Sequence, residues 1–284
     1  MLEELTDRLK DSMKAWTLKM VRPQLAAQLA AARPASNEYG LDPFGFSLDT
    51  SLAALAPFIW LYKHYFRVDA RGLENVPKGR VLLVGNHSGQ LPFDGAMIGI
   101  ALMVDADPPR AIRSMVEKWM PTLPYISILF ARLGQVVGTP ENCRRLLQAD
   151  EAILVLPEGV RGLNKLWRHR YQLQDFGLGF MRLALETDTP IVPVSVVGAE
   201  EQAPALFNAA FVAKLLRMPA MPVTPTLLPL PLPSRYYLRF GKPMRFTGSS
   251  DDEDVVIERK VKTVRAAIQA MISQSLKERR HVFL

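Results

Sequence analysis

An α/β fold is what this sequence predicts: one mixed, largely buried central sheet flanked by helices, with an amphipathic helix ahead of it. Three observations lead there. Short apolar runs without polar alternation recur, as in Val81–Val84, Ala152–Leu156 and Ile191–Val196, the mark of strands covered on both faces. Helical patterns lie between several of them, over Gly95–Met103, Asn142–Ala149 and Leu178–Glu186, as in sheets with helices on each side. The 284 residues, 49% hydrophobic, suffice for a substantial core in one large domain with a terminal extension, or in two small domains. The division expected is an N-terminal helix and linker over residues 1–50, then one α/β domain over 51–284.

Leu2, Leu5, Leu9, Met13, Trp16 and Met20 recur at helical spacing, with Pro23 marking a break or kink. This helix either packs on the domain or faces a membrane; amphipathicity alone does not choose. Arg33 to Asp49 reads as a loop. Further strands are expected over Tyr65–Ala70, Ile112–Val116 and Tyr236–Phe240. Thr189–Ser195 carries Pro190 and Pro193, which points to an edge strand or a strand beginning. Ser250–Glu253 resembles a capping box, opening a helix with Ile257, Val261, Val264, Ile268, Met271 and Leu276 on roughly one side.

Composition narrows the classes. At 22% charged residues, the chain is not of the disordered type. The formal charge of +7 suits nucleic acid or anionic lipid. The basic residues lack clear aromatic interleaving or a recognition motif, which argues against nucleic acid. The single cysteine, Cys143, excludes a disulfide framework and a cysteine-rich zinc site. No secretory signal pattern and no spanning helix are expected. Two segments are nonetheless greasy, Ser51–Tyr62 and Leu227–Pro233. They are either buried or inserted in a lipid surface, with Phe58, Trp60, Leu228 and Leu230 as the inserting side chains.

The most informative stretch is Val81 to Asp94, VLLVGNHSGQLPFD. A strand ends in a loop holding His87, one of four histidines, and Asp94 follows near the next helix start. Chemistry in α/β enzymes sits at such carboxyl ends of strands. Asp94 accepting from one ring nitrogen would fix the tautomer and leave the other nitrogen as a base. That base takes a proton from an acceptor hydroxyl, which attacks an acyl thioester directly. Two other readings stand beside it. His87 is a structural loop residue, or Ser88 is a nucleophile for hydrolysis; the chain has no GxSxG elbow. A second strand end, Ala152–Gly162, offers Glu158, Gly159 and Arg161. Its glycines and Arg161 suit an anion, while Glu158 suits an acceptor hydroxyl or a cation of the loop. Arg161, Lys165, Arg168 and Arg170 follow as a basic run, facing either solvent or a headgroup or carrier phosphate.

Together these blocks resemble the glycerophospholipid acyltransferase superfamily, which includes the lysophosphatidic acid acyltransferases. The resemblance rests on Asn86-His87-Ser88 through Asp94, Pro157-Glu158-Gly159-Val160-Arg161, Phe176–Phe180 and Ile191-Val192-Pro193-Val194, in order, over about residues 60–245. It implies His87 as general base with Asp94 as its partner, and an acceptor bound by Glu158 and Arg161 with Gly159 shaping the loop. It implies acyl-CoA or acyl carrier protein as donor, no metal or redox cofactor, and peripheral attachment to the cytoplasmic side of a membrane. The acceptor implied is a lysophospholipid such as 1-acylglycerol-3-phosphate. Two departures stand out. Six residues separate His87 from Asp94 where the family commonly has four, a feature similar to the branch related to diacylglycerol acyltransferases. Pro140 stands where the family places a phosphate-binding arginine, with Arg144 and Arg145 as the nearby substitutes. A neutral glyceride or other lipid alcohol is therefore an alternative acceptor. An ester or thioester hydrolase and a non-catalytic lipid-binding protein are the rivals from other classes. Oligomeric state is not readable.

Overall fold

The structure, a computed structural model, describes residues 2–20, 37–118, 126–209, 222–224 and 231–283. The expectations at Pro23, Leu228 and Leu230 lie outside them.

Helix α1 (Leu2–Met20) lies along α2 (Leu48–Trp60). Lys14 Nζ meets Asp49 Oδ1 at 2.6 Å between them. Thr17 is buried, but Leu9 is 60% and Trp16 43% exposed. The apolar stripe is thus not packed on the domain at those two positions. The first greasy segment is mainly core. Ser47 caps α2 by accepting from Thr50 N, and Leu52, Leu55 and Ile59 carry the buried stripe. A π-helical turn, Leu61–Tyr65, extends the helix, and Tyr62 and Phe66 continue its burial. Burial at 59, 62 and 66 follows helical spacing. The strand expected over Tyr65–Ala70 therefore shrinks to β1 (Asp69–Arg71). Trp60 stays 44% exposed.

The elements then run β2 (Val81–Gly85), α3 (Phe93–Val104), β3 (Arg113–Val116), α4 (Ile126–Arg132), β4 (Val136–Val137) and α5 (Pro140–Gln148). Next come β5 (Ala152–Val155), α6 (Val160–Leu163), α7 (Gly179–Glu186), β6 (Ile191–Val197) and α8 (Ala199–Gln202). A small antiparallel pair, β7 (Phe207–Asn208) and β8 (Pro222–Val223), precedes β9 (Tyr237–Phe240) and α9 (Asp254–Glu278).

Among the described residues the main sheet has seven strands in the order β1-β9-β6-β2-β5-β3-β4. It is mixed, as expected: all its pairings are parallel except β6 with β9. Its strands alternate between two cores. Val81, Leu83, Leu154, Val192 and Val194 face α2 and α3, whereas Leu82, Val84, Ile153 and Ile191 face α5, α7 and α9. Burial on both faces explains the unbroken apolar runs.

Pro193 lies in an interior strand, so the edge reading of Thr189–Ser195 is corrected and the strand-beginning reading holds. Gly241 N donates to Pro193 O at 2.8 Å, just beyond the end of β9 at Phe240. The missing proline N–H thus falls where the antiparallel ladder has already ended. The capping box also does not form. Lys260 holds Asp252, Ser249 Oγ accepts from Asp251 N, and α9 starts only at Asp254. Its buried stripe runs through Ile257, Val261, Val264, Ile268 and Ile272, leaving Met271 and Leu276 at the margin. Among the described residues, no helix is long and apolar enough to cross a membrane.

Candidate active site

Strand β2 delivers Asn86 and His87 to the carboxyl edge of the sheet. Asn86 is buried and continues the ladder with its side chain: Nδ2 donates to Val196 O at 3.0 Å and Oδ1 accepts from Val196 N at 2.7 Å. His87 comes next, at the point where the chain leaves the sheet. Asp94 is the second residue of α3, which turns its carboxylate back over the loop.

His87 Nδ1 lies 2.7 Å from Asp94 Oδ2. The same oxygen accepts from Ser88 N at 2.8 Å, and Oδ1 accepts from Gly95 N at 2.7 Å. In each of these contacts Asp94 is the acceptor. With Asp94 as acceptor, the imidazole proton sits on Nδ1 and Nε2 keeps its lone pair. Nε2 has no hydrogen-bond partner among the described residues, and the His87 side chain retains 12% exposure against none for Asp94. Burial pushes the imidazole pKa down, but the charge and hydrogen bond of Asp94, aided by Glu158, outweigh it and hold the pKa above its ordinary value. The result is an oriented imidazole with one open nitrogen. Ser88 forms no triad among the described residues: its Oγ is buried without a hydrogen-bond partner there.

The loop after β5 packs beneath this one. Glu158 is buried, and its carboxylate is fully engaged. Oε1 accepts from His87 N at 2.9 Å; Oε2 accepts from Gln174 N at 2.7 Å and lies 3.4 Å from Lys165 Nζ. Of the two roles open to Glu158 in the sequence, its geometry matches orienting a cation of the loop. Gly159 has φ +56 and ψ −146, a region essentially reserved for glycine, and so sets the path into α6. Arg161 is exposed and donates to Asp175 O at 3.0 Å, leaving further donors toward solvent.

Lys165 does not belong to the surface basic run. It is buried between Glu158 and Glu200, with Nζ 3.1 Å from Glu200 Oε1. Burial raises the Glu200 pKa against the pull of Lys165. Arg168 and Arg170 are exposed. Arg144 pairs with Glu141 and Glu186 and is committed there, whereas Arg145 is exposed and lies over the Phe44 ring at 5.4 Å. The sequence reading missed Lys165, Glu200, Gln202 and Tyr236 as members of this frame. A Gly-Ala-Glu-Glu-Gln segment after a strand looks like a solvated turn, and only long-range packing reverses that.

The family model described as Acyltransferase matches residues 67–197, which include both loops and Pro193. An uncharacterised protein of Mycobacterium leprae is 37% identical over 87% of this chain and 71% of its own length. A probable 1-acyl-sn-glycerol-3-phosphate acyltransferase of Mycoplasma pneumoniae is 28% identical, over 50% of this chain and 53% of its own. In three dimensions the chain is similar to the crystal structure of the 1-acyl-sn-glycerophosphate acyltransferase PlsC from Thermotoga maritima. That likeness has a TM-score of 0.54 at 16% identity, covering 95% of this chain and 96% of that one. The ordered loops, the fold and these relatives agree: the chain belongs to the glycerophospholipid acyltransferase superfamily and is an acyltransferase.

Proposed function

We propose that the protein moves a fatty acyl group from acyl-CoA or acyl carrier protein to the free hydroxyl of a lysophospholipid such as 1-acylglycerol-3-phosphate. The observation that carries this is the His87–Asp94 pair with Nε2 open at the carboxyl edge of the sheet. Nε2 removes the hydroxyl proton as the oxygen attacks the thioester carbonyl. The tetrahedral intermediate then expels the thiolate, which takes the proton from the imidazolium. Asp94 holds the imidazole and balances its transient charge. Neither an enzyme nucleophile nor a metal or redox cofactor is invoked. Glu158 and Gly159 shape the floor of the site, and Arg161 meets the acceptor phosphate. The Mycoplasma and Thermotoga proteins are both named for a 1-acylglycerophosphate, which supports this acceptor class. The reaction takes place with the protein held peripherally on the cytoplasmic face of a membrane, through basic side chains and exposed Trp16 and Trp60.

A neutral glyceride is the second reading. Pro140, standing where the family places a phosphate-binding arginine, favours it, and so does the pairing of the nearby Arg144 with Glu141 and Glu186.

Thiol release from palmitoyl-CoA in mixed micelles separates these readings, with lysophosphatidic acid, other lysophospholipids, mono- and diacylglycerol, or no acceptor. Product is identified by mass spectrometry. Acceptor-dependent product that falls by about 10²–10⁴-fold in His87→Ala is expected. Product only with glycerides moves the acceptor to the second reading. Thiol release that needs no acceptor overturns both in favour of hydrolysis.

A further inference from the structure

Six residues separate His87 from Asp94, and two consecutive ones lie at positive φ. Gly89 has φ +91 and Gln90 φ +63. A non-glycine residue there is strained, so the surrounding structure must hold it. One side chain grips the loop at this bend. Gln202, fully buried at the end of α8, donates from Nε2 to Gly89 O at 2.6 Å and to Leu91 O at 3.1 Å. A Cβ at residue 89 would collide with Gln202 Nε2 and with Ala199 O, so the backbone lies directly against this amide.

The amide is oriented in turn. Tyr236, also fully buried, donates from its hydroxyl to Gln202 Oε1 at 2.5 Å. Gly89 O and Leu91 O only accept, so the NH2 end has to face them and the oxygen has to face the tyrosine. Burial, followed by the nearby Asp94 charge, holds the tyrosine pKa well up and keeps its hydroxyl a donor. The Tyr236 ring lies 4.7 Å from that of Phe66, which lies 5.5 Å from Phe93, the residue before Asp94. The same tyrosine is thus linked to both ends of the loop: through Gln202 to the bend after His87, and through Phe66 to the start of α3.

We propose that Gln202, oriented by Tyr236, is a positioning residue that keeps His87 and Asp94 in register across the loop that joins them. Among the described residues neither side chain hydrogen-bonds to His87 or Asp94. The proposal rests on His87 being the base, and its test separates the two.

The test combines kinetics, thermal melting and the low-field proton resonance of the His87 Nδ1–H bond. The chain has four histidines, so loss of that resonance in His87→Ala assigns it. Gln202→Met keeps length and volume but removes both donors. It is expected to lower kcat by about 10–100-fold, as displaced catalytic groups do, with acceptor KM within about twofold of wild type. The resonance is lost or broadened in the folded variant. Tyr236→Phe keeps the buried ring but frees the amide, and lowers kcat by about 3–10-fold with a weakened resonance. Where Gln202→Met does not fold, Tyr236→Phe carries the same comparison. A folded variant with a lower melting temperature but wild-type kcat and an intact resonance overturns the proposal, because Gln202 then serves stability alone. Full activity in His87→Ala overturns the assignment of the base instead, whatever Gln202 does.

Discussion

Two loops leave the carboxyl ends of neighbouring parallel strands, β2 and β5, and they use their charged groups in opposite ways. Each bends through positive φ, at Gly89 and Gln90 in one and at Gly159 in the other. Each carries an acid close to the imidazole. In the first loop, Asp94 is wholly buried but leaves His87 with one nitrogen unpaired among the described residues. In the second, Glu158 has both oxygens turned inward, onto His87 N, Gln174 N and Lys165. One loop keeps a reactive atom free while the other spends its charge on the frame. Proximity to the site therefore does not assign a role; what matters is whether an atom is left over once the protein's own hydrogen bonds are made.

Glu158→Gln tests this contrast most severely. Every group around the carboxylate is a donor, so the new NH2 has to face at least one of them. Lys165 keeps Glu200, which limits the damage to the low end for a broken buried pair, about 3 kcal/mol of unfolding free energy in a urea titration. The kcat is expected to fall by about 10²-fold, because His87 loses its backbone anchor, with acceptor KM changed by less than about threefold. A variant of wild-type stability with a strongly raised acceptor KM would show instead that Glu158 contacts the acceptor.

The same contrast explains what could be read in the sequence. β2, β5 and β6 were legible because strands covered on both faces carry unbroken apolar runs. His87 and Asp94 were legible because strand-to-loop position and residue type suffice to nominate them. The frame was not. Glu158 and His87 are 71 positions apart, Gln202 and Gly89 113, and nothing local encodes such contacts. Lys165 reads as one more cation of a basic run, because a charged residue there is ordinarily solvated. Tyr65 looked like strand because aromatic and apolar neighbours satisfy both periodicities over so short a span. Only the packing of Tyr62 and Phe66 settles it as helix.

A smaller effect is expected from pH. Asp94 on α3 and Glu158 after β5 raise the His87 pKa; burial and Lys165 after α6 oppose them, and the balance is upward from 6.5. A general base works neutral, so kcat/KM falls as pH drops through the raised value, and its acid limb lies above that of an ordinary histidine. In Asp94→Asn the main raising cause disappears while burial remains, and the limb moves to lower pH as the rate declines. Stability follows the opposite course. The folded protein holds this proton more tightly than the unfolded chain. Its contribution is therefore complete below the unfolded pKa and is lost as pH rises through the folded one. A limb that stays fixed in Asp94→Asn would mean that another group sets it.

The mildest change bears on the reaction class. Ser88 sits beside His87, and its N–H serves Asp94, but its Oγ is buried and unpaired among the described residues. Ser88→Ala leaves that N–H in place and removes a polar atom that the fold does not satisfy. Acyl transfer is therefore expected to stay within about twofold of wild type, and stability to be unchanged or higher by up to about 1 kcal/mol. A serine nucleophile predicts the reverse, near-complete loss of thiol release with and without acceptor. Assaying both conditions on the variant puts the free nitrogen of His87 and the buried oxygen of Ser88 in direct competition. Retained, acceptor-dependent product assigns the chemistry to the nitrogen and direct transfer to the acceptor hydroxyl.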